Sequence, residues 1–305
     1  GWVFGVGHFT LGNNWIATAF TYQAEMPAAL GWVAVPVLSL YLAIYPALAA
    51  AAAKAVAGRG ERLALLLAFA GCWTIAEWLR GWVFTGYPWN PFGIVLLGPF
   101  DRPGLAALAP WFGTYALSGL AVLVGGGLVL ALRERRWIPA GAAAVLLAIG
   151  MYLPAGAGAR GDLRFTLVQP DVRQEQLDDA RMYEANFQKT AALTLPEQPG
   201  ARRLVLWPES GLPDYLREGY PQHYYLSSTA FNDPVLARRR LGQVIGEGSL
   251  LLTGAVDLEI ENERAVGAYN AVTAVAADGE IAGSYYKAHL VPYGEYLALR
   301  WLFEP

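Results

Sequence analysis

Three long stretches of this sequence contain no charged residue: Met26 to Ala53, Pro103 to Leu132 and Trp137 to Ala159. Each exceeds the roughly 20 residues that a helix needs to cross about 30 Å of hydrocarbon. Residues 1–20 form a fourth candidate span, polar only at His8, Thr10, Asn13, Asn14 and Thr18, and residues 63–84 a fifth, interrupted by Glu77 and Arg80. The expectation is therefore a helical membrane domain over residues 1–160, with spans near 1–20, 28–53, 63–84, 103–132 and 137–159. Overall composition agrees, at 55% hydrophobic and only 15% charged residues.

Charge is divided unevenly along the chain. Residues 1–160 carry nine Lys/Arg against five Asp/Glu, and residues 161–305 carry thirteen against twenty. The second half thus has an ordinary, acidic globular composition, and no basic patch points to nucleic acid. Bases are enriched in cytoplasmic loops. Loop 54–62 holds Lys54, Arg59 and Arg62, and loop 133–136 reads Arg-Glu-Arg-Arg, whereas loop 21–27 has no base and loop 85–102 only Arg102. Alternation then puts residues 161–305 outside, on the periplasmic side of a bacterial inner membrane. The chain opens on Gly-Trp without a charged leader, as if partway through a longer protein.

A single cysteine, Cys72, excludes an intramolecular disulfide, and the three histidines (His8, His223, His289) lack metal-ligand spacing, so neither metal nor cofactor is expected. Cys72 lies inside an apolar span, where a small core residue is the simplest reading. Glu77 and Arg80 are three apart, hence on one helical face. Charges at membrane depth are costly and face a bundle interior. A structural pair and a substrate-side role both fit them. His8 suits packing or a helix–helix hydrogen bond. The segment "TGYPWNPFG" (85–93) interleaves aromatics with Pro and Gly. It reads either as an interfacial anchor or as the floor of a lipid-chain site.

From residue 164 the periodicity changes. "RFTLVQP" (164–170), "RLVLWPE" (203–209) and "SLLLTGAV" (249–256) read as short strands, and "LDDARMYEANFQKTAAL" (177–193) as an amphipathic helix with Met182, Phe187 and Ala191 inward. "YNAVTAVAADGEIAGSYYK" (269–287) predicts a hairpin turning at Ala277–Glu280. Together they predict an α/β layer over residues 161–305. Residues 211–233 are aromatic and poorly periodic, as in a mobile arm. Glu209 follows one strand and Lys287 closes another. A carboxylate can accept a nucleophile's proton, and an ammonium can stabilise an oxyanion. Either residue alone at a strand end is commonly just solvated.

"WPES", followed some eighty residues later by "YYKAHLVPYGEY", resembles the carbon–nitrogen hydrolase (nitrilase) superfamily. With the spans upstream and "EWLRGW…TGYPWN" at 77–90, the chain looks specifically like the apolipoprotein N-acyltransferase family, over essentially its whole length. The resemblance implies an αββα sandwich with a Glu–Lys–Cys triad outside the helical bundle. It implies transfer of an acyl chain from a membrane phospholipid, through a cysteine thioester, to the amine of the diacylglyceryl-cysteine of an apolipoprotein. Glu209 would be the general base, Lys287 the oxyanion stabiliser, and Glu295 a further required carboxylate. Tyr87, Trp89 and Tyr286 are the candidate substrate contacts. The family's cysteine follows the Lys motif, so it is expected beyond Pro305, and a tryptophan common in relatives near Asp178 is missing. Two other readings compete: a membrane-tethered amidase and a non-catalytic module that binds lipid or lipopeptide.

Overall fold

The computed structural model describes all residues except 23–26, 28, 84–86, 155, 157, 159–160, 178, 197, 199, 201, 210 and 291–305, and the side chains of Tyr22 and Gln174. Glu295 and Asp178 therefore lie outside the described residues. The chain divides into two compact units, one of residues 1–158 with His289 and Leu290, the other of residues 159–288.

The first unit is helical. Its helices are α1 (Trp2–Gly12), α2 (Trp15–Ala19), α3 (Ala29–Leu42), α4 (Ile44–Ala57), α5 (Arg62–Arg80), α6 (Ala109–Arg133) and α7 (Trp137–Met151). Among the described residues, three segments are long and apolar enough to cross a membrane: Ala29–Ala57, Arg62–Arg80 and Gly104–Arg133. The first of these joins α3 to α4 through Ala43. Pro46, with no N–H to give Leu42, explains the break there.

The stretch expected as a first span is two helices meeting at Asn13-Asn14. Asn side chains compete for backbone hydrogen bonds and end helices readily. α7 has 15 residues, about 22 Å at 1.5 Å per residue. Apolar side chains such as Trp32, Trp111 and Ile138 point outward, 71%, 75% and 87% exposed, as suits lipid rather than water.

Small residues let these helices approach. Ala49 of α4, Ala70 and Ala76 of α5 and Val122 of α6 pack around Tyr45 and Trp73. A methyl group at Gly31 would meet the Ala17 backbone, Cα at 2.8 Å, so α3 needs glycine where it crosses α2.

The second unit is an α/β layer. Strands β1 (Arg164–Leu167), β2 (Arg203–Leu206), β3 (Ser249–Glu261), β4 (Arg264–Ala276) and β5 (Ile281–Tyr286) form one sheet in sequence order. β1, β2 and β3 run parallel, and β4 and β5 add antiparallel hairpins. The helices are α8 (Gln174–Leu177), α9 (Tyr183–Thr194), α10 (Gln222–Ser228) and α11 (Pro234–Ile245). Phe187 and Ala191 of α9 and Leu241 and Ile245 of α11 pack on Val205, Leu251 and Val275 of one sheet face. Met182, expected inward, is only half-buried at the start of α9. On the opposite face Phe165, Leu167, Val272 and Tyr285 stand exposed.

The turn at Ala277–Glu280 is as its sequence suggests, with Gly279 at φ 89° and the Ala276 N–H donating to Glu280 O at 2.9 Å. A second hairpin was not legible. β3 runs on to Glu261 and returns as β4 through Asn262 and Glu263, both at positive φ. The alternating Asp257, Glu259 and Glu261 hid the extension, because a charged half of a strand reads as loop.

Residues 211–233 are not the loosely held arm expected. Leu212 and Leu216 are in the core, and α10 forms within the segment. The Asp214 carboxylate accepts from the Ala230 N–H at 2.7 Å, the Tyr225 hydroxyl donates to Arg217 O at 2.7 Å, and Arg217 Nε reaches Asp257 at 2.6 Å. A carboxylate, a guanidinium and a tyrosine hydroxyl supply these anchors, a pattern that hydrophobic periodicity does not register.

Candidate active site

β2 runs buried through Val205, and the Trp207 N–H still pairs with Leu252 O at 2.9 Å. Pro208 has no N–H to extend that ladder, so the chain leaves the sheet and Glu209 emerges in a turn. Just past the edge strand β5 the Lys287 N–H donates to Asn270 O of β4 at 2.9 Å, one position past the Ala271–Tyr286 pair. Strand alternation places Asn270 and Lys287 on the sheet face away from α9 and α11, two residues from Val272 and Tyr285.

There the three side chains meet. Asn270 Nδ2 donates to Glu209 Oε1 at 2.6 Å, and Lys287 Nζ stands 3.7 Å from the same oxygen. The first is a short, charge-assisted hydrogen bond; the second is a Coulombic contact beyond hydrogen-bond range. The Glu209 side chain is 66% exposed and that of Lys287 33%, so the carboxylate stays open to an incoming group while the amine is partly shielded. A carboxylate fixed by an amide, beside an ammonium, can take a proton from a nucleophile and steady an adjoining oxyanion.

Tyr286 neighbours Lys287 in the chain but points to the other face, where it stacks on Tyr269 at 4.9 Å between ring centroids. Close by, Asp257 holds Arg217 and raises that guanidinium above its ordinary value by hydrogen bonding. Tyr87 and Trp89 belong to the helical unit and make an edge-to-face pair at 4.5 Å. Asn270 was missed. Its signal was a lone amide inside a largely apolar strand, which sequence alone offers no reason to pair with Glu209.

In the helical unit, Glu77 and Arg80 are 1% and 2% exposed, with Glu77 Oε1 and Arg80 Nη2 3.6 Å apart. Glu77 Oε1 accepts from Trp73 Nε1 at 3.1 Å and from the Phe92 N–H at 2.8 Å. His8 Nε2 donates to Asn90 O at 3.3 Å, so it bonds a loop rather than another helix.

Comparison with known proteins agrees with both units. Residues 1–127 match the apolipoprotein N-acyltransferase N-terminal domain, and residues 167–303 match carbon–nitrogen hydrolase. The apolipoprotein N-acyltransferase of Rhodopseudomonas palustris is 35% identical over 327 residues, which cover 100% of this chain and 56% of that protein. That of Methylococcus capsulatus is 31% identical over 312 residues, 98% of this chain and 56% of its own length. That of Brucella melitensis is 33% identical over 315 residues, 97% and 54% respectively. The chain thus spans a little over half the length of these relatives. With an N-terminal helical membrane part and a carbon–nitrogen hydrolase domain joined in one polypeptide, it belongs to the apolipoprotein N-acyltransferase family.

Proposed function

We propose that the protein containing this chain transfers an acyl group from a membrane phospholipid to the α-amine of the diacylglyceryl-cysteine of a bacterial apolipoprotein. The reading rests on one observation above all: Lys287 Nζ approaches Glu209 Oε1 to 3.7 Å while Asn270 fixes that oxygen at 2.6 Å. A base and an oxyanion donor side by side serve acyl transfer, and the names of the relatives supply the acceptor class.

The chemistry runs in two halves. Glu209 takes the proton of a cysteine thiol as the sulfur attacks the phospholipid ester carbonyl, and Lys287 donates to the oxyanion that forms. Collapse breaks the ester C–O bond, and the lysophospholipid oxygen leaves with the proton from Glu209. The lipoprotein amine then attacks the thioester, gives its proton to Glu209, and the thiolate leaves to be reprotonated. Cys72, half-buried in α5 of the helical unit, is not assigned this role; the nucleophile is assigned to sequence after Pro305. Glu295 is assigned to the same centre, and Tyr87, Trp89 and Tyr286 to substrate contact. The basic loops 54–62 and 133–136 support a catalytic domain on the periplasmic face of the inner membrane.

The test uses the full-length protein in mixed micelles with a phospholipid carrying a labelled acyl chain and a synthetic diacylated lipopeptide. Label in a triacylated peptide is the expected product. Label only in free fatty acid makes the protein a hydrolase and overturns the proposal.

A further inference from the structure

Four side chains from three helices grip the backbone of one short loop. Arg80 Nη2 donates to Pro88 O at 3.2 Å, His8 Nε2 to Asn90 O at 3.3 Å, the Phe92 N–H donates to Glu77 Oε1 at 2.8 Å, and the Gly93 N–H to Ser118 Oγ at 2.7 Å. Trp89 sits between the first two anchors at φ 40°, and Asn90 follows at φ 44°. A tryptophan rarely adopts that left-handed region, which asparagine tolerates. Such backbone persists only where the surroundings over-determine it.

The anchors are also costly. Glu77 and Arg80 are fully buried, and Glu77 Oε2 and Arg80 Nε have no hydrogen-bond partner among the described residues. A buried pair with unsatisfied atoms is poor value for stability, since apolar residues of similar size would pack as well. What it supplies, and an apolar pair would not, is direction. The acceptor oxygen of Glu77 and the guanidinium of Arg80, itself 4.9 Å over the Phe9 ring, fix where residues 88 and 92 lie. The aromatic pair of Tyr87 and Trp89 is carried on that fixed segment.

We infer that Glu77 and Arg80, seconded by His8 and Ser118, are positioning residues that hold Trp89 for contact with the acyl chains of the lipid donor. This rests on the proposed acyl transfer, in which Trp89 is a substrate contact. It assigns the buried charge pair to donor binding and not to the chemical step.

The experiment uses the full-length protein labelled with 5-fluorotryptophan, the Trp89 resonance being the one lost in W89F. Glu77→Leu and Arg80→Met should move that resonance. They should also raise KM for phospholipid by about tenfold, with kcat and KM for the lipopeptide little changed, as expected when a binding surface is displaced. Glu77→Gln keeps an acceptor oxygen and should restore both. W89A should raise KM alike, and adding Glu77→Leu to it should change nothing more. An unmoved Trp89 resonance, a loss in kcat alone, or additive effects would overturn the inference. Should Glu77→Leu not fold, Ser118→Ala, which removes only the Gly93 anchor, is read by the same two criteria. A parent protein without acyl transfer overturns the proposed function instead, and the resonance shifts then still decide whether these residues position Trp89.

Discussion

Asn270 donates its amide N–H to Glu209 Oε1 over 2.6 Å, joining residues sixty-one positions apart at the open side of the sheet. The bond fixes which way the carboxylate faces. A hydrogen bond to a charged group is worth about 1.5–3 kcal/mol. Asn270→Ala should lower kcat about 10- to 100-fold if Glu209 is the base, each 1.36 kcal/mol being tenfold. The check is initial-rate kinetics together with the thermal midpoint, which should stay near that of the parent because the site is at the surface.

Arg203 ties the sheet to its helices. Its Nη2 donates to Thr194 O at 2.6 Å and to Ile245 O at 3.0 Å, the last carbonyls of α9 and α11, and Nη1 donates to Thr166 Oγ1 at 3.1 Å. A cation at helix C-termini also meets their negative dipole ends. Arg203→Met should destabilise the α/β unit by about 2 kcal/mol. Hydrogen exchange should speed first in the final turns of α9 and α11. Uniform exchange across the sheet instead would contradict this role.

Asp214 makes stability depend on pH. Burial pushes its carboxyl above the usual range, opposed more weakly by the Ala230 N–H and the charge of Arg240. A raised folded value means that the folded chain holds the proton more tightly than the unfolded one. Its contribution is full below the unfolded value of about 3.9 and is lost as pH rises through the folded value. Asp214→Asn keeps the oxygen that accepts from Ala230 and removes the ionisation. Its thermal midpoint relative to the parent should therefore rise between pH 4 and pH 7. A constant difference across that window would refute the assignment.

Orientation can be read chemically. Glu61→Cys, in the basic connection before α5, and Glu247→Cys, exposed after α11, are introduced separately. A membrane-impermeant maleimide should reach position 247 in intact spheroplasts and position 61 only after permeabilisation. The reverse pattern would place the α/β unit in the cytoplasm.

By itself the sequence determined the class of each unit. Charge-free runs leave a chain few options besides lipid, and alternating apolar residues ending in turns make strands, because both patterns are local consequences of burial. Through their family resemblance the "WPES" and "YYK" segments also offered Glu209 and Lys287 as candidates for one site, and the fold brings the two within 3.7 Å. What tertiary structure decided is everything that depends on which backbone passes which side chain. Asn270 becomes a partner of Glu209 only because β4 lies between β3 and β5 in the sheet. The 211–233 segment is held because Asp214, Arg217 and Tyr225 find donors and acceptors far away in sequence or on their own backbone. Glu77 and Arg80 were visible as a buried pair, but their hold on Pro88 and Phe92 was not, since a backbone carbonyl or N–H leaves no mark in an amino-acid sequence. Hydrophobic pattern is written residue by residue; hydrogen-bond direction exists only after the chain has folded.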